Sequence, residues 1–199
     1  MSSSVNARVQ AYLDALPGGI AAYPEFVGKY SVVRAWLEGN DRAALRKVVP
    51  REVHPLLEDG VPITRWVSEV HATCIYLAIR ELFFPSDDAF VDDAFLRNVR
   101  LLEKPMYKIL MRVVNPSRAA KGTAAVFSQM HRGLELSVDP KPEAWIATLT
   151  HPPLLLPDLL ARCYATALRA ALEVKGYQDV TSRAVSTTPE STTFRVTFE

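Results

Sequence analysis

Hydrophobic residues recur at helical spacing through most of the chain and alternate with polar residues near its end. The clearest helical stripe lies in Thr64–Phe84, where apolar side chains recur at steps of three and four residues before Pro85. A second stripe follows Pro157, whose ring suits the first turn of a helix, and ends near Gly176, which suits a C-terminal cap. These two segments are predicted to be the principal helices of the fold.

Shorter helical patterns fill much of the remaining chain, and proline and glycine residues separate them. Pro24 disfavours a helical conformation at Tyr23, so Tyr23–Lys29 could be an extended segment. The other predicted helices are Val5–Leu16, Val32–Glu38, Arg42–Val49, Glu52–Glu58, Ser86–Glu103, Met106–Val114 and Ser117–Met130.

Two pairs of strands are predicted in the C-terminal half, where the hydrophobic period changes to two. The first pair is Leu134–Asp139 and Glu143–Thr150, joined by a loop at Pro140–Pro142, and the second is Val180–Thr187 and Phe194–Phe198. An apolar sheet face must be covered, so we expect an α+β fold in which a helical layer packs on a small antiparallel sheet of about four strands.

The chain is expected to form one domain over residues 1–199, in which an N-terminal helical and extended segment (1–60) packs on an α+β core (61–199). Neither a signal peptide nor an apolar run long enough to cross a bilayer occurs, so no membrane insertion is expected. Cys74 and Cys163 lie within apolar helical patterns and are predicted to be buried free thiols, which fits a reducing cytoplasm.

Charge excludes one class of partner and leaves another open. The chain has 23 Lys and Arg against 22 Asp and Glu, so no nucleic-acid partner is expected. Locally, however, bases predominate between Arg97 and Lys121, and such a stripe can bind an acidic partner or a phosphorylated ligand. A solvated helix face that the neighbouring acids neutralise is the more common explanation of such a stripe. The candidate partner-binding residues are Arg97, Arg100, Lys104, Lys108 and Arg112.

Signatures of catalysis, nucleotide binding and metal binding are absent from the sequence. It contains neither a glycine-rich phosphate loop nor a Gly-x-Ser-x-Gly, Cys-x-x-Cys or His-Glu-x-x-His motif. His71 and Cys74 share a helix face and could ligate a metal, but two ligands do not make a site, so neither a metal nor a cofactor is predicted. His131 and His151 flank the first predicted hairpin and could approach each other.

Methionine and aromatic side chains are concentrated in the helical middle of the chain. Such residues form an adaptable apolar pocket, a dimer face or an ordinary core. The candidate ligand-binding residues are His71, Cys74, Tyr76, Tyr107, Met111, Phe127 and Met130.

The order of these elements resembles that of a known family over Arg65–Glu199. The segments that carry the resemblance are EVHATCIYLAIRELFFP, RLLEKPMYKILMRVVNPSRA, GLELSVDPKPEAWIATL, LPDLLARCYATALRAALEVKGYQDV and TTFRVTFE. They look like a paralogous family of myxobacterial proteins of about this length. That family is similar, more remotely, to 4-vinyl-reductase-like and TRAPP-like ligand-binding domains.

The resemblance implies a helical layer over an antiparallel sheet, dimerisation and an apolar ligand. Related haem-based nitric oxide sensors hold the haem propionates with a Tyr-x-Ser-x-Arg motif, which this sequence lacks. We therefore expect a non-enzymatic sensory or regulatory module that binds a small apolar ligand or a protein partner, as a possible homodimer. The alternatives are an enzyme that uses His71, His131 or His151, and an interaction protein that uses the basic stripe.

Overall fold

The computed structural model describes residues 5–104 and 116–199, and the predicted helix Met106–Val114 lies outside them. The fold is α+β, as the sequence predicts. The chain divides into two compact units, Met1–Phe90 and Val91–Glu199. The single-domain arrangement of residues 1–60 on 61–199 stays a prediction. Within the described residues, every helix is too short or too polar to span a lipid bilayer.

The first unit is mainly helical. Its helix α4 is the centre of the unit, because its buried residues contact α1, α2, α3 and a 3₁₀ helix. The elements are α1 (Ala7–Ala15), a 3₁₀ turn (Gly19–Ala21), β1 (Val27–Lys29), α2 (Tyr30–Leu37), α3 (Arg42–Arg46), a 3₁₀ helix (Arg51–Leu56), β2 (Trp66–Ser68), α4 (Glu69–Phe83) and the start of α5 (Asp87–Leu102).

The predicted start of α4 at Thr64 is wrong, since Trp66–Ser68 forms a strand. This strand pairs antiparallel with Val27–Lys29, so the extended segment expected over Tyr23–Lys29 is confirmed only at its end. Tyr23 instead has a left-handed φ of 53°, and Pro24 and Glu25 form a turn. The helix begins at Glu69, and the Ser68 hydroxyl caps it by accepting a hydrogen bond from the Val70 amide at 3.2 Å. A strand of three residues is too short to show either a helical or an alternating period, so the hydrophobic pattern does not reveal that Trp66–Ser68 is a strand.

The second unit is a four-stranded antiparallel sheet with helices on its apolar face. The strand order is β4-β5-β7-β6. Its inner face is apolar and its outer face is polar, as the alternation of the sequence predicts. The elements after α5 are α6 (Pro116–Met130), β3 (His131–Arg132), β4 (Glu135–Lys141), β5 (Ala144–Thr150), α7 (Asp158–Glu173), β6 (Thr181–Thr188) and β7 (Ser191–Thr197).

The register places the largest buried side chains of the sheet in adjacent rows. Trp145 lies opposite Val196, and Ala147 lies opposite Phe194; all four are fully buried. Helix α6 packs on β4, and α7 packs on β6 and β7. Of the two principal helices predicted from the sequence, α7 thus covers the second hairpin, whereas the described packing of α4 is with elements of the first unit.

Pro140 and Lys141 extend β4, although the sequence predicts a loop there. The reason is that β4 is an edge strand, where a proline that lacks an N–H costs no ladder hydrogen bond on the open side. The position of Pro157 also differs from the prediction. It is the N-cap residue that precedes α7 and is not in the first turn of the helix.

An arginine–aspartate cluster joins three helices within the first unit. Both Nη atoms of Arg8 on α1 donate to the Asp87 carboxylate, at 2.8 and 2.7 Å, and Arg80 on α4 donates to the same carboxylate. The hydrogen bond from Arg8, with a further one from Arg80, lowers the pKa of Asp87 to about 2, although burial opposes the shift. Asp87 is also in the first turn of α5, where the helix dipole favours a negative charge.

We predict that Asp87→Asn lowers the free energy of unfolding by about 1 kcal/mol at pH 7, because the pair is partly exposed. The folded pKa lies below the unfolded value of about 3.9, so the stabilisation is complete above that pH and is lost as pH falls towards 2. Urea denaturation of both proteins across this pH range measures the difference.

Asp92→Asn is the matched control, since Asp92 is an exposed carboxylate on the same helix. It should leave stability within about 0.5 kcal/mol of the original protein. Equal effects of the two substitutions would show that the Arg8–Asp87 pair contributes nothing specific.

Candidate ligand cavity in the second unit

An apolar cavity of about 70 Å³ lies between the helices and the inner sheet face of the second unit. Two helices contribute lining residues at positions i, i+3, i+4 and i+7, which share one helix face. The remaining lining comes from α5 and from the sheet residues Leu136, Leu149 and Phe194. The two helical sets are Thr123, Val126, Phe127 and Met130 on α6, and Tyr164, Ala167, Leu168 and Ala171 on α7.

Small side chains explain why the space is not filled. Thr123, Ala167 and Ala171 face the cavity at positions where a leucine or phenylalanine would occupy it. The volume is about half that of a 150 Å³ apolar cavity known to hold benzene or xenon, and far below the 300 Å³ or more of pockets for drug-sized ligands. The cavity therefore suits an apolar molecule of only a few heavy atoms.

One wall of the cavity belongs to a cluster of three rings. Phe127 and His131 stack with their centroids 4.4 Å apart, and Tyr164 lies 6.0 Å from Phe127 and 5.9 Å from His131. His131 is only 8% exposed. This stacking fixes the Phe127 ring and so defines the shape of the wall.

The structure brings together two of the predicted ligand-binding residues, Phe127 and Met130, at this cavity. Tyr107 and Met111 lie outside the described residues. The sequence did not predict four of the lining residues, namely Leu101, Thr123, Tyr164 and Ala171. The helical spacing on α6 and α7 indicates a buried face, but it is equally typical of a filled core and so does not identify a cavity.

His71, Cys74 and Tyr76 belong to α4 in the first unit. Tyr76 packs against Trp36, with ring centroids 5.4 Å apart. Burial raises the pKa of Cys74 to about 12, so this side chain is a thiol near neutral pH. Burial also lowers the pKa of His71, while the charge of Glu52 and a hydrogen bond with the Ile20 backbone act in the opposite direction. The neutral imidazole is therefore favoured.

His151 anchors the segment that follows β5. Its Nδ1 lies 3.1 Å from the Pro152 carbonyl oxygen and its Nε2 lies 3.1 Å from Thr192 Oγ1. A carbonyl only accepts, so in the neutral ring Nδ1 donates to Pro152 and Nε2 accepts from the Thr192 hydroxyl. Both nitrogens are thus engaged, which leaves neither for acid–base chemistry or metal ligation. His131 and His151 have different neighbours.

The candidate basic stripe is only partly available to a partner. Arg97 forms an ion pair with Asp93 one turn earlier on α5, and its side chain is 15% exposed. Arg100 and Lys104 are exposed, and Lys108 and Arg112 lie outside the described residues. The proposed role of these residues stays a prediction. Among the described residues, no group of three or more His, Cys, Asp and Glu side chains is arranged to hold a metal ion.

Solved H-NOX domains share the fold of this chain. An oxygen-binding H-NOX domain related to soluble guanylate cyclases, in its oxygen complex, matches with a TM-score of 0.58 and 6% identity over 85% of this chain and 92% of that one. A mutant of T. tengcongensis H-NOX gives 0.58 and 6% over 85% and 94%. A Cs H-NOX mutant that carries 4-cyano-L-phenylalanine gives 0.56 and 9% over 86% and 96%.

The comparison corrects the resemblance drawn from the sequence. The fold neighbours are H-NOX domains and not 4-vinyl-reductase-like or TRAPP-like domains, so that assignment, and with it the myxobacterial family, is wrong. No family model matches the sequence. A search of curated proteins also finds no match. Several folds share this order of elements along the chain, namely helices, a hairpin, a helix and a second hairpin. Only the packing of the elements distinguishes one such fold from another.

The side chains of the described residues do not form a site for haem, which is named in the descriptions of two of the H-NOX structures. An axial ligand has to be a histidine, a thiolate, a methionine or a tyrosine beside a large apolar slot. Both ring nitrogens of His151 have partners, Cys74 is a thiol, and Met130 and Tyr164 line a cavity of only about 70 Å³, which is far too small for a haem. His54 has a buried Nε2 without a hydrogen-bond partner, but it does not line the cavity.

We predict that Thr192→Val lowers the free energy of unfolding by about 1–3 kcal/mol, because it leaves the buried His151 Nε2 without its donor. Chemical denaturation at neutral pH measures the loss. Thr193→Val is the matched control: Thr193 faces the opposite side of β7, so this change should stay within about 0.5 kcal/mol. A Thr192→Val protein as stable as the control would contradict the anchoring role.

Proposed function

We propose that this chain is a sensory module with the H-NOX fold, and that it binds a small apolar ligand directly in the cavity of the second unit. The observation that supports the proposal is the apolar cavity of about 70 Å³ among the described residues, to which α6 and α7 contribute small side chains.

The ligand class follows from the lining. The walls are aliphatic and aromatic, with the Tyr164, Thr123 and Asn98 side chains as the polar groups. A ligand of a few heavy atoms, either a diatomic gas or a small hydrocarbon, suits the size of the space. Ligand binding is the common feature with the oxygen-binding H-NOX domain that the fold resembles. Here the ligand contacts side chains and not iron.

A haem-based sensor is the second candidate function, because structures with this fold include studies of haem distortion and haem redox potential. The missing Tyr-x-Ser-x-Arg motif and the engaged histidines weigh against it. Possible homodimerisation, the predicted cytoplasmic location and a histidine-dependent activity stay predictions.

Xenon under pressure is a suitable probe of the cavity. We predict that it shifts the methyl NMR signals of Met130, Leu168 and Ala171 in a saturable manner. In Ala171→Val the added methyl groups occupy the space, so the xenon-dependent shifts of Met130 and Leu168 should disappear. The free energy of unfolding should rise by at most about 1 kcal/mol, because filling 70 Å³ is worth at most about 1.7 kcal/mol and valine is a poorer helix former than alanine.

Ala165→Val is the matched control for this experiment. Ala165 is buried on the same helix but does not line the cavity. Its replacement should lower stability by about 1–3 kcal/mol through overpacking and leave the xenon-dependent shifts intact. If xenon does not perturb these methyl groups in the original protein, the cavity is not a ligand site.

Haemin titration decides between the two candidate functions. We expect no stoichiometric Soret band, because the apolar cavity among the described residues is far smaller than a haem and no histidine lines it. A one-to-one Soret band that disappears when one of His54, His71, His131 and His151 is replaced by alanine would instead establish the haem sensor.

A further inference from the structure

Two arginines lie side by side on the outer face of the sheet. Arg183 on β6 is directly opposite Arg195 on β7 in the antiparallel register, and both are exposed. Cross-strand neighbours have their Cβ atoms about 4.5–5.5 Å apart, and like charges in such positions destabilise the sheet. An anion bound between the two side chains would remove this repulsion.

Neither guanidinium group has an ion-pair or hydrogen-bond partner among the described residues. The acidic residue in the same row is Asp139 on β4, because it pairs with Ile146, which in turn pairs with Arg195. Two strand spacings, about 10 Å, separate Asp139 from Arg195. The Asp139 carboxylate also accepts from Lys141 Nζ at 2.8 Å, so its charge is already compensated.

Hydroxyl groups flank the two arginines on the same face. Thr181 and Thr197 are paired in one neighbouring row, with their Oγ1 atoms 2.7 Å apart. Thr148 and Thr193 occupy the row on the other side, with their Oγ1 atoms 3.5 Å apart. An anion held by both guanidinium groups thus has additional donors within reach of its outer oxygens.

A shallow basin of about 960 Å³ begins at Arg195. Its floor includes Ile146 and Phe198, and its rim carries three acids, Glu143, Asp179 and Glu199, together with Lys141. The basin is large enough for several residues of a peptide. Its apolar floor and acidic rim favour an apolar or basic side chain next to the anion.

We propose that the Arg183–Arg195 pair docks a phosphorylated segment of a partner protein, with the phosphate between the two guanidinium groups and the neighbouring residues in the basin. A phosphate carries close to two negative charges at neutral pH, which match the two arginines, and its oxygens accept from two guanidinium forks. A single carboxylate neutralises only one of the two charges. This inference is independent of the apolar cavity, which lies on the inner side of the sheet.

The charge of this face argues against a membrane or a nucleic acid as the occupant. Glu135 and Asp139 lie on the same outer face as the two arginines, and three acids surround the adjoining basin. A bilayer or a nucleic-acid backbone is bound by clusters of several bases without intervening acids. The observations favour one localised dianion.

The test uses the full chain and a fluorescent peptide with one phosphoserine followed by alanine and lysine. We expect saturable binding by fluorescence anisotropy at low salt. Arg183→Gln and Arg195→Gln should each weaken the peptide affinity roughly tenfold or more, since each removes charged hydrogen bonds. Neither variant should melt at a lower temperature without peptide, because each relieves the repulsion between the arginines.

Arg65→Gln is the charge-matched control, since Arg65 is an exposed arginine of the first unit. It should leave the peptide affinity within about twofold of the original value. Equal affinity of the Arg195→Gln and Arg65→Gln proteins for the phosphopeptide would overturn the proposal.

Three further arms identify the occupant. The unphosphorylated serine peptide and its glutamate analogue should bind at least tenfold more weakly than the phosphopeptide, and equal binding of either would contradict the requirement for a phosphate. Inorganic phosphate that binds as tightly as the phosphopeptide would reduce the site to one for a small ion. Arginine-dependent binding of phosphatidylserine vesicles without binding of the phosphopeptide would replace the proposal with a membrane surface.

Discussion

The second unit depends on one packing constraint, which is that the apolar inner face of its four-stranded sheet must be shielded from water. Helix α6 covers β4 and helix α7 covers β6 and β7, and the large side chains Trp145 and Phe194 fill the space beneath them. Where alanine and threonine face each other on the two helices, the same packing leaves a cavity. The candidate ligand site is thus a consequence of residue size on surfaces that have to meet.

Two buried histidines in this unit make contacts that stabilise the structure. His151 connects the loop after β5 to Thr192, and His131 supports Phe127 at the cavity wall. Such groups remain buried because their hydrogen-bonding or stacking partners compensate for lost water. The fold that this chain shares with solved H-NOX domains thus contains two histidines, His131 and His151, that are engaged in structural contacts.

The two faces of one sheet carry different recognition chemistry. The inner face is apolar and contributes to the lining of the candidate cavity, whereas the outer face presents charges and hydroxyl groups in a fixed register. Strands of this sheet contribute to both surfaces, since Phe194 lines the cavity and its neighbour Arg195 points to the opposite side. The alternation of side chains along β7 is the physical basis of this separation.

Sequence periodicity was sufficient for the α+β class, for the strands of both hairpins and for most helices, because burial imposes a local pattern on each element. It also identified Phe127 and Met130 as candidate ligand contacts. It missed the strand Trp66–Ser68 and the vacant space opposite Ala171, and it led to the wrong family. Those features depend on which elements meet, and the Arg183–Arg195 pair likewise exists only through strand register. Residues distant in the chain become neighbours through tertiary packing, and the hydrophobic pattern of a sequence does not specify which elements pack together.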